Sequence, residues 1–158
     1  MAAMFTKTRI LIFTGALSGM LLAAFSARAC SCLPPPPPKE ALAKAEAVFS
    51  GTVESVERSS NKSTHDGKEY IHERFKVTVR VAESWKGTNA AALVVYTELN
   101  GAICGYNFVK GSSYLIYAHG GGASGKDLLV SLCSRTRPLS GAKEDLQAFG
   151  TGKKPAAR

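Results

Sequence analysis

Cys30-Ser31-Cys32-Leu33-Pro34-Pro35-Pro36-Pro37-Pro38 divides the chain into two unlike parts. The five prolines hold this stretch extended, because each fixes φ near −65° and disfavours helix in the residue before it. Two cysteines at its start can pin it to whatever follows. A stiff, pinned segment presents its first residue in one orientation. If the chain is cut just before this stretch, that first residue is Cys30 with a free α-amine.

The preceding residues make such a cut the expected one. Lys7 and Arg9 form a positive start, Ile10 to Phe25 is uncharged and mostly apolar, and Ala27-Arg28-Ala29 is a small-x-small cleavage site. Residues 1–29 therefore read as a secretory signal peptide. The apolar run is short for a membrane span and lacks a stop-transfer flank, so no membrane attachment is expected after cleavage. Lipoprotein processing would acylate Cys30, but Ala27, Arg28 and Ala29 suit a simple cut better.

The 158-residue chain carries a formal net charge of +8. Three of its basic residues, Lys7, Arg9 and Arg28, precede Cys30, leaving 17 basic and 12 acidic residues and a net +5 in residues 30–158. The charge is dispersed, which with an exported location argues against nucleic acid as a partner. All four cysteines, Cys30, Cys32, Cys104 and Cys133, follow the cut, so two disulfides are expected. A Cys30–Cys32 bridge is disfavoured at that spacing. Both N-terminal cysteines then reach distant parts of the chain, in either of two pairings.

Beyond the prolines, Lys39 to Ala47 predicts a short helix and Val48 to Val56 a strand with a bulge or bend at Gly51. The polar stretch from Glu57 to Lys68, containing Asp66-Gly67, predicts a hairpin loop. Phe75, Val77, Val79 and Val81 alternate with Lys76, Thr78, Arg80 and Ala82, the clearest half-buried strand. Trp85 is expected just beyond it, with a turn at Lys86-Gly87. Further strands are expected over Leu93–Thr97, Tyr114–Ala118 and Leu128–Leu132, with flexible glycines at 120–122. The alternation of Tyr114, Ile116 and Ala118 marks core. A last helix is signalled by Ser140 as N-cap, an apolar face of Ala142, Leu146 and Phe149, and Gly150 as stop. Residues 30–150 thus read as one all-β barrel of five or six strands, with a short N-terminal helix and a flanking C-terminal helix. Residues 151–158 read as a disordered basic tail.

Cys30 to Pro35 resembles the N-terminus of the tissue inhibitors of metalloproteinases, which begins Cys-Thr/Ser-Cys, an apolar residue and two prolines. Ala47-Val48-Phe49-Ser50-Gly51-Thr52-Val53 looks like that family's first strand. Ala102-Ile103-Cys104-Gly105 looks like its Cys-Gly segment. Leu132-Cys133 followed by Pro138-Leu139-Ser140 looks like the end of its last strand and the entry to its helix. The resemblance covers nearly all of residues 30–150 and implies a netrin-like, OB-type barrel with disulfides Cys30–Cys104 and Cys32–Cys133. The family's third cysteine in this region falls near Leu42, and its second, cysteine-rich domain has no counterpart here.

The resemblance also implies a function, a secreted inhibitor of zinc metalloendopeptidases, and a monomer is expected. It has no cofactor of its own, and the zinc belongs to the target protease. The α-amine and carbonyl of Cys30 would chelate that zinc, displacing the water that serves as nucleophile. Ser31, Cys32, Leu33, Pro34, Ala102 and Ile103 would complete an inhibitory ridge. The competing reading is an exported, disulfide-stapled barrel that binds another protein or scaffolds. Loops of this length would stabilise it by roughly 4–5 kcal/mol per disulfide on the chain-entropy account. An enzyme is not expected. The sequence has no Gly-x-Ser-x-Gly, no paired ligand histidines and no phosphate loop, and His65, His72 and His119 are scattered.

Overall fold

A computed structural model describes residues 30–122 and 125–156. The expected signal peptide lies outside the described residues. The elements are α1 (Pro38–Lys44), β1 (Ala47–His65), β2 (Lys68–Lys86), β3 (Ala92–Glu98), a 3₁₀ turn (Gly101–Ile103), β4 (Ser113–Gly121), β5 (Asp127–Leu129), β6 (Arg137–Pro138), a second 3₁₀ turn (Leu139–Gly141) and α2 (Lys143–Phe149).

Five strands close on themselves in the order β1-β2-β3-β5-β4-β1, with β6 appended to β4. All pairings are antiparallel except β3 with β5, which meet in parallel at Tyr96 and Leu129. This is the expected OB-like, all-β barrel. Its register shifts between Ser50 and Gly51, where the sequence suggested a bulge. At Gly51 an added Cβ would press on Arg80 O and the Val79 side chain, so only glycine lets the two strands approach.

Two apolar layers follow from strand alternation. Phe49, Val53, Val77, Val79, Val95, Tyr114, Ile116 and Ala118 fill the barrel. The other face of β1 and β4 presents Val48, Leu115 and Tyr117 to Ala41 and Ala45 near α1 and to Ala142 at the entry to α2. Strand β4 is therefore buried on both faces, which explains a continuous apolar run in an antiparallel strand. Helix α2 docks through its aromatic end: Phe149 lies 5.8 Å from the Trp85 ring, and Trp85 Nε1 donates to Gly150 O at 2.9 Å. Lys86 Nζ donates to the carbonyls of Leu42 and Ala43 and so closes the end of α1.

Several local expectations are corrected. The stretch from Glu57 to Lys68 is mostly strand, because Asp66 and Gly67 take φ of 51° and 73° and form a two-residue turn. Such a turn matches the twist of its strands and extends the ladder to His65–Lys68. On the turn side of Arg74 this ribbon leaves the barrel, so most of its described polar side chains are exposed and show no apolar alternation. Trp85 lies inside β2 rather than beyond it. Gly120 and Gly121 belong to β4, and β5 ends at Leu129 instead of Leu132. Ser140 does not cap α2: it sits in the second 3₁₀ turn, and Ala142 occupies the cap position without a side-chain bond. The tail is also placed as far as Ala156. Lys153 exchanges two 2.8 Å backbone hydrogen bonds with Ser84, and Ala156 N donates to Asn89 O.

Candidate functional site

The proline arm carries few groups that can hold it. Its residues from Pro34 to Pro38 have no N–H, and Pro37 and Pro38 already serve as the cap and first turn of α1. Cysteines supply the anchorage. Cys30 is bonded to Cys104 with Cα atoms 5.3 Å apart, and Cys32 to Cys133 at 5.1 Å. The residues alone left two distant pairings open, and this is the one present. The sulfurs of Cys30, Cys32 and Cys133 lie within 4.8 Å of one another. All three are in disulfides, so none offers a thiolate to a metal. Among the described residues this is the only such grouping of metal-ligating side chains.

Cys104 is aimed by a turn built on Asn100. The Asn100 side chain accepts hydrogen bonds from Ala102 N at 3.0 Å and Ile103 N at 3.3 Å, and its carbonyl accepts from Gly105 N at 2.9 Å. These bonds wind Gly101–Ile103 into a 3₁₀ turn and leave Cys104 at φ 61° as its cap. Gly105 then bridges to Ser131, and Leu132 N donates to Cys104 O. Three separate segments, 30–33, 101–105 and 131–133, thus meet at the two disulfides.

The surface they make is apolar and uncharged. Leu33 is 87 % exposed, Ile103 52 % and Leu132 47 %, each next to a bridged cysteine. Ser31, Cys32, Pro34 and Ala102 are exposed, and Cys30 is half-buried. Residues 30–38 and 101–105 contain no charged side chain, in a chain of net charge +8. Depletion of charge around exposed apolar side chains is the composition of an interface core. Behind the ridge, Tyr106 N donates to Thr97 Oγ1 at 2.7 Å. Burial and then Tyr114 push the Tyr106 hydroxyl up to about 12, so it stays neutral.

A buried ionic cluster supports the other end of the arm. Arg135 Nε donates to Asp145 Oδ1 at 2.7 Å, and the Tyr117 hydroxyl donates to the same oxygen. Burial alone would raise the Asp145 pKa, but the hydrogen bonds from Arg135 and Tyr117 outweigh it and hold the carboxyl below its usual range. Burial and the bond to Asp145 raise the Tyr117 hydroxyl.

The two disulfides tie the segment that begins Cys30-Ser31-Cys32-Leu33-Pro34 to the segments that carry Ala102-Ile103 and Leu132. The sequence reading missed Leu132, Asn100 and Arg135. By its sequence Leu132 reads as the last residue of a strand, and nothing beside Asn100 marks its side chain as the nucleus of a turn. A lone arginine two residues after a cysteine carries no signal at all. His72 is exposed and pairs with Glu98 at 3.1 Å, and His119 is exposed too.

Among the described residues, no helix is long and apolar enough to cross a membrane. No curated protein sequence matches the chain. The family model described as "Tissue inhibitor of metalloproteinase" matches residues 28–144, which include the arm, both disulfides and all six strands. On that match over most of its length, the chain belongs to the tissue inhibitor of metalloproteinase family.

Proposed function

We propose that the chain, cut before Cys30 and secreted, inhibits a zinc metalloendopeptidase by chelating the enzyme's catalytic zinc with the amine nitrogen and carbonyl oxygen of Cys30. Members of this family act on metalloproteinases as inhibitors and are not enzymes. The observation that carries the reading is the convergence of segments 30–33, 101–105 and 131–133 on two adjacent disulfides at an exposed, uncharged ridge.

The chemistry follows from the position of Cys30. Nitrogen and oxygen on one residue close a five-membered ring on a metal, and a catalytic zinc has one open position held by water. Displacing that water removes the nucleophile, so the protease is blocked without cleaving its inhibitor. The amine donates only when neutral. Its ordinary pKa of about 7.7–8.0 makes zinc compete with a proton, and binding tightens as pH rises through that range. Ser31 then enters the pocket beside the zinc, with Ala102, Ile103 and Leu33 along its flanks. Disulfides and prolines order the ridge before binding, which lowers the entropy lost on association.

The test is an inhibition curve against a panel of zinc endopeptidases. One Ala added before Cys30 should abolish inhibition and leave thermal unfolding unchanged, because neither the barrel nor the disulfides use that nitrogen. An Ala-extended protein that inhibits like the parent would rule out chelation.

A further inference from the structure

The arm's composition limits how it can be held. With no N–H from Pro34 to Pro38, its backbone can be anchored only through carbonyl oxygens or by packing. Packing holds only the far end, where Pro38 is buried and Pro36 half-buried, while Leu33, Pro34, Pro35 and Pro37 are exposed. Pro37 O accepts from Ala41 N at 2.9 Å as the first bond of α1, and among the described residues the bond that reaches the arm from a distant segment is Arg135 Nη1 to Pro36 O at 2.9 Å.

The guanidinium that makes this bond is itself immobilised. Arg135 is 7 % exposed. Besides Nε on Asp145 Oδ1, its Nη2 donates to Glu144 Oε2 at 2.8 Å and to Asp145 Oδ2 at 3.3 Å. Asp145 is fully buried, accepts from Tyr117, and has Arg137 Nη1 3.7 Å away. A planar fork held on one side by two carboxylates of α2 leaves Nη1 pointing at the arm. Arg135 also follows Cys133 by two residues, and Cys133 holds Cys32. One short segment therefore grips the arm twice, covalently at Cys32 and by a charge-assisted hydrogen bond at Pro36.

We propose that Arg135 is a positioning residue, a clamp that fixes the course of the proline arm and through it the presentation of the N-terminal ridge. Its effect on inhibition rests on the function proposed above; its effect on the arm does not. An ion pair this deeply buried is seldom required for stability, because apolar groups of similar volume serve as well. The distinctive product of this one is a fixed donor for a segment that has none.

Two variants separate positioning from folding. Arg135→Met combined with Asp145→Asn removes both charges and keeps an acceptor for Tyr117. Arg135→Lys keeps the charge beside Asp145 but loses the fork that reaches Pro36 at the same time. The reporter is ¹⁵N relaxation at the Leu33 amide, the last before the prolines, with Ile116 as the internal control. In the parent, Leu33 should show a rigid order parameter of about 0.85, falling below about 0.6 in both variants while Ile116 stays rigid. Inhibition should weaken by about tenfold or more, the scale of one lost charge-assisted hydrogen bond. A Leu33 amide as rigid in both variants as in the parent overturns the clamp. A loosened arm with unchanged inhibition overturns its service to the ridge. A parent that inhibits nothing overturns the proposed function, and the relaxation data still decide the clamp.

Discussion

Cys30 Sγ lies 3.8 Å from Cys133 Sγ, although each sulfur is bonded to a different partner. The two crosslinks therefore touch at the ridge. Removing one member exposes the other to exchange. In Cys32→Ala, the freed Cys133 thiolate should attack Cys30 Sγ, form a Cys30–Cys133 bond and expel the Cys104 thiolate. Peptide mapping of the variant at mildly alkaline pH should find Cys30–Cys133 beside Cys30–Cys104. Mapping that returns only Cys30–Cys104 contradicts the proximity.

The turn behind Ala102 and Ile103 should tolerate substitution at one glycine and not at the other. A Cβ at Gly105 would collide with the carbonyl oxygen of Glu98 and lie 2.8 Å from that of Asn100, backbone atoms with nowhere to move. Gly101 has open space around it. Gly105→Ala should destabilise the protein by roughly 1–3 kcal/mol in urea unfolding. Gly101→Ala should be within about 0.5 kcal/mol of the parent or slightly more stable.

The barrel interior and the projecting ribbon should respond differently to the same truncation. Ile116 is fully buried, whereas Ile71 on the ribbon is 64 % exposed. Ile116→Ala should cost about 2–5 kcal/mol. Ile71→Ala should change stability by about 0.5 kcal/mol or less. Denaturant midpoints of the two proteins check both values.

The cluster around Asp145 gives a stability profile with two edges. Its carboxyl is held below the ordinary range, so the stabilisation is present above the unfolded value of about 3.9 and is lost as pH falls through the lower folded value. The Tyr117 hydroxyl is raised, so its share is present below about pH 10 and lost as pH climbs beyond it. Urea midpoints measured from pH 2 to 11 should therefore fall at both ends. The acid edge should be shallower in Asp145→Asn. At neutral pH, Asp145→Ala should cost about 3–5 kcal/mol, because it leaves Arg135 buried without its carboxylate.

Much of this protein is local, and local features are legible in a sequence. Phe75 to Val81 declares a half-buried strand because side chains alternate across a sheet with period two. Gly150 ends α2 because a positive φ suits glycine, and the prolines keep the arm extended whatever surrounds it. The ridge residues on 30–34 and at Ala102–Ile103 came instead from resemblance to a family, carried by the Cys-x-Cys-x-Pro-Pro start. What tertiary structure decided is the partner of each group. A polar run such as Glu57–His65 forms strand because a two-residue turn brings Lys68–Arg74 alongside it, and no apolar alternation records that pairing. Leu115 and Tyr117 are buried because α1 and α2 cover the outer face of β4. Arg135 reaches Pro36 across 99 residues of sequence. A hydrogen bond of that span depends on the closed path of the whole barrel, so nothing near Arg135 in the chain announces it.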